Sequence, residues 1–181
     1  TFEAFPLPDY VTSIAGGDYL SYLIEVEPGI KIHMLEVGRG FPLFLQHGNP
    51  TSGLLYRKVA EALGADQFRI IMPTLAGLGF SSKIPAHQHT VENHVRWINQ
   101  ALSQLEIKEL IFVGQDWGGP IGMGALAESP ELLKGRRYAQ HRAQCPKRST
   151  GFVPSARAGK ITHLWRDSAG SRGVRFFSEA P

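Results

Sequence analysis

The sequence predicts an α/β fold, a mostly parallel sheet with flanking helices, over residues 1–135. Three observations carry this. Apolar strand-like runs alternate with helix-like segments, two of the runs stop abruptly at small polar motifs, and one long segment repeats apolar residues at three- and four-residue spacing. With 181 residues, 43% of them hydrophobic and 19% charged, the chain has the composition of an ordinary folded domain.

The elements follow in order. Tyr19 to Glu27 and Ile30 to Val37 read as two strands joined by the turn Pro28-Gly29, hence a β-hairpin. Phe41 to Gln46 is continuously apolar, as a central strand covered on both faces should be, and it ends at His47-Gly48-Asn49-Pro50-Thr51-Ser52. Leu54 to Leu63 is helix-like. Phe68 to Met72 is a further buried strand, and Pro73 to Gly79 reads as loop. Val91, Val95, Ile98, Leu102 and Leu105 mark an amphipathic helix, with Thr90 placed to cap its start. Leu110 to Val113 is a short apolar strand, and Pro120 to Glu128 is the next helix.

Between that last strand and helix lies Gly114-Gln115-Asp116-Trp117-Gly118-Gly119. A strand-to-helix turn with small residues on both sides of one reactive side chain is the pattern of a nucleophile elbow, with aspartate as the nucleophile. An isolated Asp-x-Gly-Gly is more simply read as a helix cap. The motif at the end of the preceding central strand reverses that judgement, because the backbone N–H groups of Asn49 and Trp117 would converge there on one oxygen as an oxyanion hole.

These two motifs, HGNPTS and GQDWGG, resemble those of the haloalkane dehalogenases, and the resemblance covers residues from about Pro8 to Lys134. It implies the N-terminal half of an α/β-hydrolase fold. It further implies that Asp116 attacks an sp³ carbon and halide departs, after which a histidine-activated water hydrolyses the alkyl ester. The side chains of Asn49 and Trp117 match the family's halide donors. Epoxide hydrolases share the aspartate and the His-Gly-x-Pro loop but carry an aromatic residue at the position of Asn49, so dehalogenation is favoured. Related luciferases are a more distant reading.

The remaining residues read as structural. His47 precedes the oxyanion loop and is expected to be a hydrogen-bonding residue rather than the catalytic base. His33, His87, His89 and His94 are expected at the surface or in strands. The only cysteine is Cys145, and no metal-ligand set or phosphate loop is present, so no metal, disulfide or cofactor is expected. The expected partners are a small halogenated alkane, water and the halide product. No apolar run suits a bilayer and the start TFEAFPLPDY is unlike a signal peptide, so no membrane is expected and a cytoplasmic location is.

The net charge of +3 conceals an asymmetry. Residues 1–135 hold 9 Lys and Arg against 14 Asp and Glu, while residues 136–181 hold 10 against 2. A basic tail raises the question of a nucleic-acid arm or of a non-catalytic binding protein, but Trp165, Phe176 and Phe177 interrupt it in no periodic order and nucleic acid is not expected. After Lys134 the resemblance calls for a further buried strand, a lid, an acid and a late histidine, and none is legible. Reading the codons of residues 135–147 one base later permits Gly-Val-Val-Met-Leu-Asn-Thr-Val-Leu-Ser-Ala-Pro, a buried strand and a loop. The tail is therefore read as the product of a shifted reading frame. Neither His141 nor His163 is assigned as the base, and no turnover is expected from the chain as written.

Overall fold

The computed structural model describes residues 2–16, 18–64 and 66–139. Everything said above of residues 140–181 lies outside them. A short strand β1 (Phe2–Ala4) and helix α1 (Asp9–Ala15) precede the hairpin β2 (Leu20–Glu27) and β3 (Ile30–Val37). Then come β4 (Phe41–Gln46), a 3-10 turn over Gly53–Tyr56, α2 (Arg57–Leu63), β5 (Phe68–Thr74), α3 (Val91–Gln104), β6 (Leu110–Gln115), α4 (Gly118–Ala127) and β7 (Leu133–Ala139).

The seven strands form one sheet in the order β1-β2-β3-β5-β4-β6-β7. It is mixed rather than parallel throughout. The pairs β1/β2, β2/β3 and β3/β5 are antiparallel. The pairs β5/β4, β4/β6 and β6/β7 are parallel. The parallel half is where strands and helices alternate in the sequence, since a parallel pair needs a crossover. The chain leaves β4 toward β5 on one side and returns from β5 to β6 on the other. Such a reversal opens a crevice at the carboxyl ends of the two diverging strands. Just beyond those ends stand His47 and Asp116.

Two apolar layers cover the sheet. On one face Trp97, Ile98, Ala101 and Leu102 of α3, with Ile121, Ala125 and Leu126 of α4, pack against Ile24, Ile32, Met34, Phe44, Ile71 and Phe112. On the other, Tyr56 and Ala60 meet Leu35, Leu43, Leu45, Ile70 and Met72. Each of these large side chains contributes about 1.5–3 kcal/mol by leaving water. Helix α3 starts as its sequence predicts, with the Thr90 hydroxyl accepting the Asn93 N–H at 3.2 Å. Its buried stripe is rotated from the expected one: Val91 is exposed, whereas His94 and Trp97 are buried. The expectation that His94 lies at the surface or in a strand is therefore corrected. Its ring packs edge-on against Trp97, with centroids 5.4 Å apart.

Three further differences from the sequence reading stand out, and the last two have physical causes. The segment Leu54 to Leu63 is divided between a 3-10 turn and α2 rather than being one helix. Strand β5 continues through Pro73 and Thr74, which pair with Met34 and His33. There it has passed its last register pair with β4, Phe44↔Ile71, so only one neighbour remains and proline is tolerated as at a sheet edge. Finally, the strand that the sequence after residue 134 does not announce is present. β7 pairs in parallel with β6 from Leu110↔Leu133 to Gln115↔Ala139, and such a ladder is made of backbone groups that need no apolar run. Among the described residues no helix is long and apolar enough to cross a membrane.

Candidate active site

Asp116 stands in the turn between β6 and α4 with φ of 52°. For a residue with a Cβ this left-handed conformation costs about 1–2 kcal/mol, and it persists only where the surroundings impose it. The surroundings here are glycines that let strand and helix touch. A Cβ on Gly114 would stand 2.7 Å from the Gly119 Cα, and one on Gly118 would run into the carbonyl oxygens of Gln46 and His47. The tip of the turn is thereby pressed against the end of β4. Trp117 follows with 53% of its surface exposed, and its N–H has no hydrogen-bond partner among the described residues.

The turn after β4 approaches the same point from the neighbouring strand. A Cβ on Gly48 would lie 2.7 Å from the Asp116 Cβ and 2.8 Å from the Trp117 N, so only glycine fits between the two turns. The Asn49 N–H donates to Asp116 Oδ2 at 3.2 Å. The three residues singled out in the sequence, Asn49, Asp116 and Trp117, are thus gathered at one place. The Asn49 N–H reaches the carboxylate. Its side chain lies on the exposed surface beside it.

His47 is fully buried beneath this turn. Its Nε2 accepts the Leu75 N–H at 2.9 Å and its Nδ1 lies 2.6 Å from the Gly48 carbonyl oxygen. With both nitrogens engaged it offers no proton acceptor to a water at Asp116, as the sequence reading expects. Burial pushes its pKa down to about 4, with the nearby His94 adding to the effect and the hydrogen bond to Gly48 opposing it. The Gly48 carbonyl also accepts the Thr51 N–H at 3.2 Å and the Thr51 hydroxyl at 3.0 Å. A second tie joins the ends of β4 and β5, the Gly53 N–H donating to the Thr74 hydroxyl at 3.0 Å. Sequence reasoning missed Thr51, Thr74 and Leu75. A threonine two residues beyond Asn-Pro is a turn signal that could have pointed to Thr51, whereas nothing local marks Leu75.

A shallow depression of about 430 Å³ begins beside this turn, lined by Pro50, Thr51, Ser52, Leu54, Leu55, Arg57 and Gly79. It includes neither Asp116 nor Trp117, and the hydrogen bonds at the carboxylate are the better guide to the chemistry. Among the described residues no three His, Cys, Asp or Glu side chains come together as a metal site.

Comparison with known proteins gives the fold family and its relatives. Residues 42–135 match the family model of the alpha/beta hydrolase fold. Haloalkane dehalogenase 2 of Mycobacterium bovis is 36% identical over 105 residues, covering 58% of this chain and 36% of that protein. The crystal structure of the haloalkane dehalogenase DatA from Agrobacterium tumefaciens superposes with a TM-score of 0.62 at 31% identity, over 68% of this chain and 42% of that one. An epoxide hydrolase of Vigna radiata, as its M263Q mutant, superposes with a TM-score of 0.61 at 25% identity, over 74% of this chain and 42% of that one. In each case the chain spans well under half the length of the protein it matches.

Proposed function

We propose, from the premise that the chain belongs to the alpha/beta hydrolase fold family, that it carries the nucleophile and oxyanion half of a haloalkane dehalogenase. Asp116 is the nucleophile. The observation that carries this reading is the Asn49 N–H on Asp116 Oδ2 at an elbow where the aspartate is held at positive φ.

The hydrogen bond divides the labour between the two carboxylate oxygens. Oδ2 is engaged, so Oδ1 attacks the sp³ carbon of the haloalkane, the carbon–halogen bond breaks with its electron pair leaving on the halide, and an alkyl ester remains. Oδ2 becomes the ester carbonyl oxygen. When water attacks that carbonyl, Oδ2 takes up the negative charge with the Asn49 N–H already upon it and the unpartnered Trp117 N–H assigned as the second donor, an arrangement worth several kcal/mol at the transition state. This reading assigns the Trp117 indole N–H and the Asn49 side-chain amide as the donors to the departing halide. The second step needs a base. Among the described residues no histidine is hydrogen-bonded to Asp116, and His47 is committed to Leu75 and Gly48. Alkylation of Asp116 without hydrolysis of the ester is the expected behaviour.

The experiment is to incubate the chain separately with a short bromoalkane and a terminal epoxide and to weigh it intact. The bromoalkane is expected to add one alkyl group, located on Asp116 by peptide mapping and absent from Asp116→Asn. Addition from the epoxide alone would transfer the site to the epoxide hydrolases. Absence of either adduct on a folded chain would end the nucleophile reading.

A further inference from the structure

We propose that His47 is a positioning residue for the chemistry at Asp116: it aims the Asn49 N–H by holding the opposite side of the same peptide plane. What the aim accomplishes rests on the reading of Asp116 as nucleophile; the aim itself rests only on geometry.

The position of one proton is forced. A main-chain N–H can only donate, so the bond from Leu75 at 2.9 Å requires a bare, accepting Nε2 on His47. The ring is fully buried and neutral, so its single proton sits on Nδ1. Two acceptors face it, the Gly48 carbonyl at 2.6 Å and the Thr51 hydroxyl oxygen at 3.1 Å; the carbonyl is the nearer and takes the proton, while the hydroxyl donates its own to the same carbonyl at 3.0 Å. That carbonyl and the Asn49 N–H belong to one planar peptide unit, and in a trans unit they point in opposite directions. Fixing the oxygen toward His47 therefore fixes the N–H toward Asp116, where it meets Oδ2 at 3.2 Å.

The peptide needs such a hold. Gly48 has no Cβ to restrict its backbone, and Asp116 and Trp117 forbid it one. Rotation of this peptide would turn a carbonyl oxygen onto the carboxylate in place of a donor. Thr51 shares the work through its N–H and hydroxyl. His47 adds a donor whose tautomer is set by Leu75, just past the end of β5 and 28 positions away in the sequence.

The test uses the whole chain and does not require turnover. In the ¹⁵N-labelled chain, the Asn49 amide shift is measured with Asp116 and with Asp116→Asn, so that the difference reports contact between this N–H and the carboxylate. The same pair is then made in His47→Asn, His47→Gln and His47→Leu backgrounds. Asparagine places an amide donor where Nδ1 stands, glutamine places an acceptor where Nε2 stands, and leucine supplies neither. The difference is expected to survive in His47→Asn and to collapse in His47→Gln and His47→Leu. Where the alkyl ester on Asp116 can be formed, its discharge by hydroxylamine should slow by on the order of 100-fold in the latter two.

A role confined to tying Leu75 predicts that glutamine, not asparagine, preserves the signal, and one confined to filling space predicts that leucine preserves it; either result would overturn the proposal. If the variants do not fold, a long-range ¹H–¹⁵N spectrum of the native chain still decides: a proton on Nε2 rather than Nδ1 of His47 contradicts it. An Asn49 amide that responds as expected in a chain that no haloalkane alkylates would refute the dehalogenase reading and leave the positioning role standing.

Discussion

The two turns that meet at Asp116 are built by opposite means. The turn after β4 is held by side chains: the His47 ring, the Thr51 hydroxyl and the Thr74 hydroxyl each bind a main-chain group. The turn after β6 is held by the absence of side chains, Gly114, Gly118 and Gly119 letting helix and strand close upon each other with Asp116 strained at the tip. The first arrangement is adjustable and responds to hydrogen bonds and protons. The second is steric and responds to volume. A backbone donor on a tunable turn thus faces a carboxylate presented by a rigid one.

Acid should have the largest effect, reaching the first turn through His47 and the rest of the fold through His33 and His94. Burial pushes His33, His47 and His94 each to about 4, below the value of about 6.5 for an unfolded histidine. The unfolded chain therefore takes up these protons first. Stability present above pH 6.5 is lost as the pH falls toward 4, by up to a few kcal/mol for each of the deeply buried His33 and His47 and by less for His94, which solvent screens in part. Denaturant titrations at pH 7 and pH 4.5 check this, with a large fall expected in the midpoint. An unchanged midpoint would mean that the three rings are not held neutral.

Volume should break the second turn and spare the first. Gly118→Ala would drive a Cβ into the Gln46 and His47 carbonyls, which are backbone and cannot swing aside. A loss of about 3 kcal/mol is expected from overpacking of this kind. Gly16→Ala serves as the comparison, since its Cβ meets no atom within 4 Å and only its positive φ opposes the change. Equal losses in the two variants would remove the steric account of the elbow. A smaller effect is expected of Thr51→Val, which deletes one of the donors to the Gly48 carbonyl and should cost about 1 kcal/mol in denaturant unfolding. The smallest has the opposite sign: Asp116→Gly should stabilise the fold by about 1 kcal/mol through relief of the φ of 52°, while abolishing any adduct. A destabilised Asp116→Gly chain would show that the elbow holds its aspartate without strain.

The same contrast explains what could be read from the sequence. Steric and apolar requirements are local. The uninterrupted run Phe41 to Gln46 gave β4 its limits, Pro28-Gly29 gave the hairpin, and the glycines around Asp116 gave the elbow. Asn49 and Trp117 were legible because each adjoins a motif. Relations that depend on where distant segments meet were not. Leu75 sets the His47 tautomer from the end of another strand, and the surface assigned to His94 is filled by Trp97 and the sheet beneath α3. Strand β7 lacks an apolar pattern and is defined by its ladder with β6. The short elements β1 and α1 carry no periodicity long enough to read.

The most direct test of the central claim, that the two turns present Asp116 as an alkyl acceptor, is the stoichiometry of halide release from a short bromoalkane. The account predicts bromide approaching one equivalent per chain and then stopping, with none from Asp116→Asn. Release that is equally large in Asp116→Asn, or no release from the folded native chain, would contradict it.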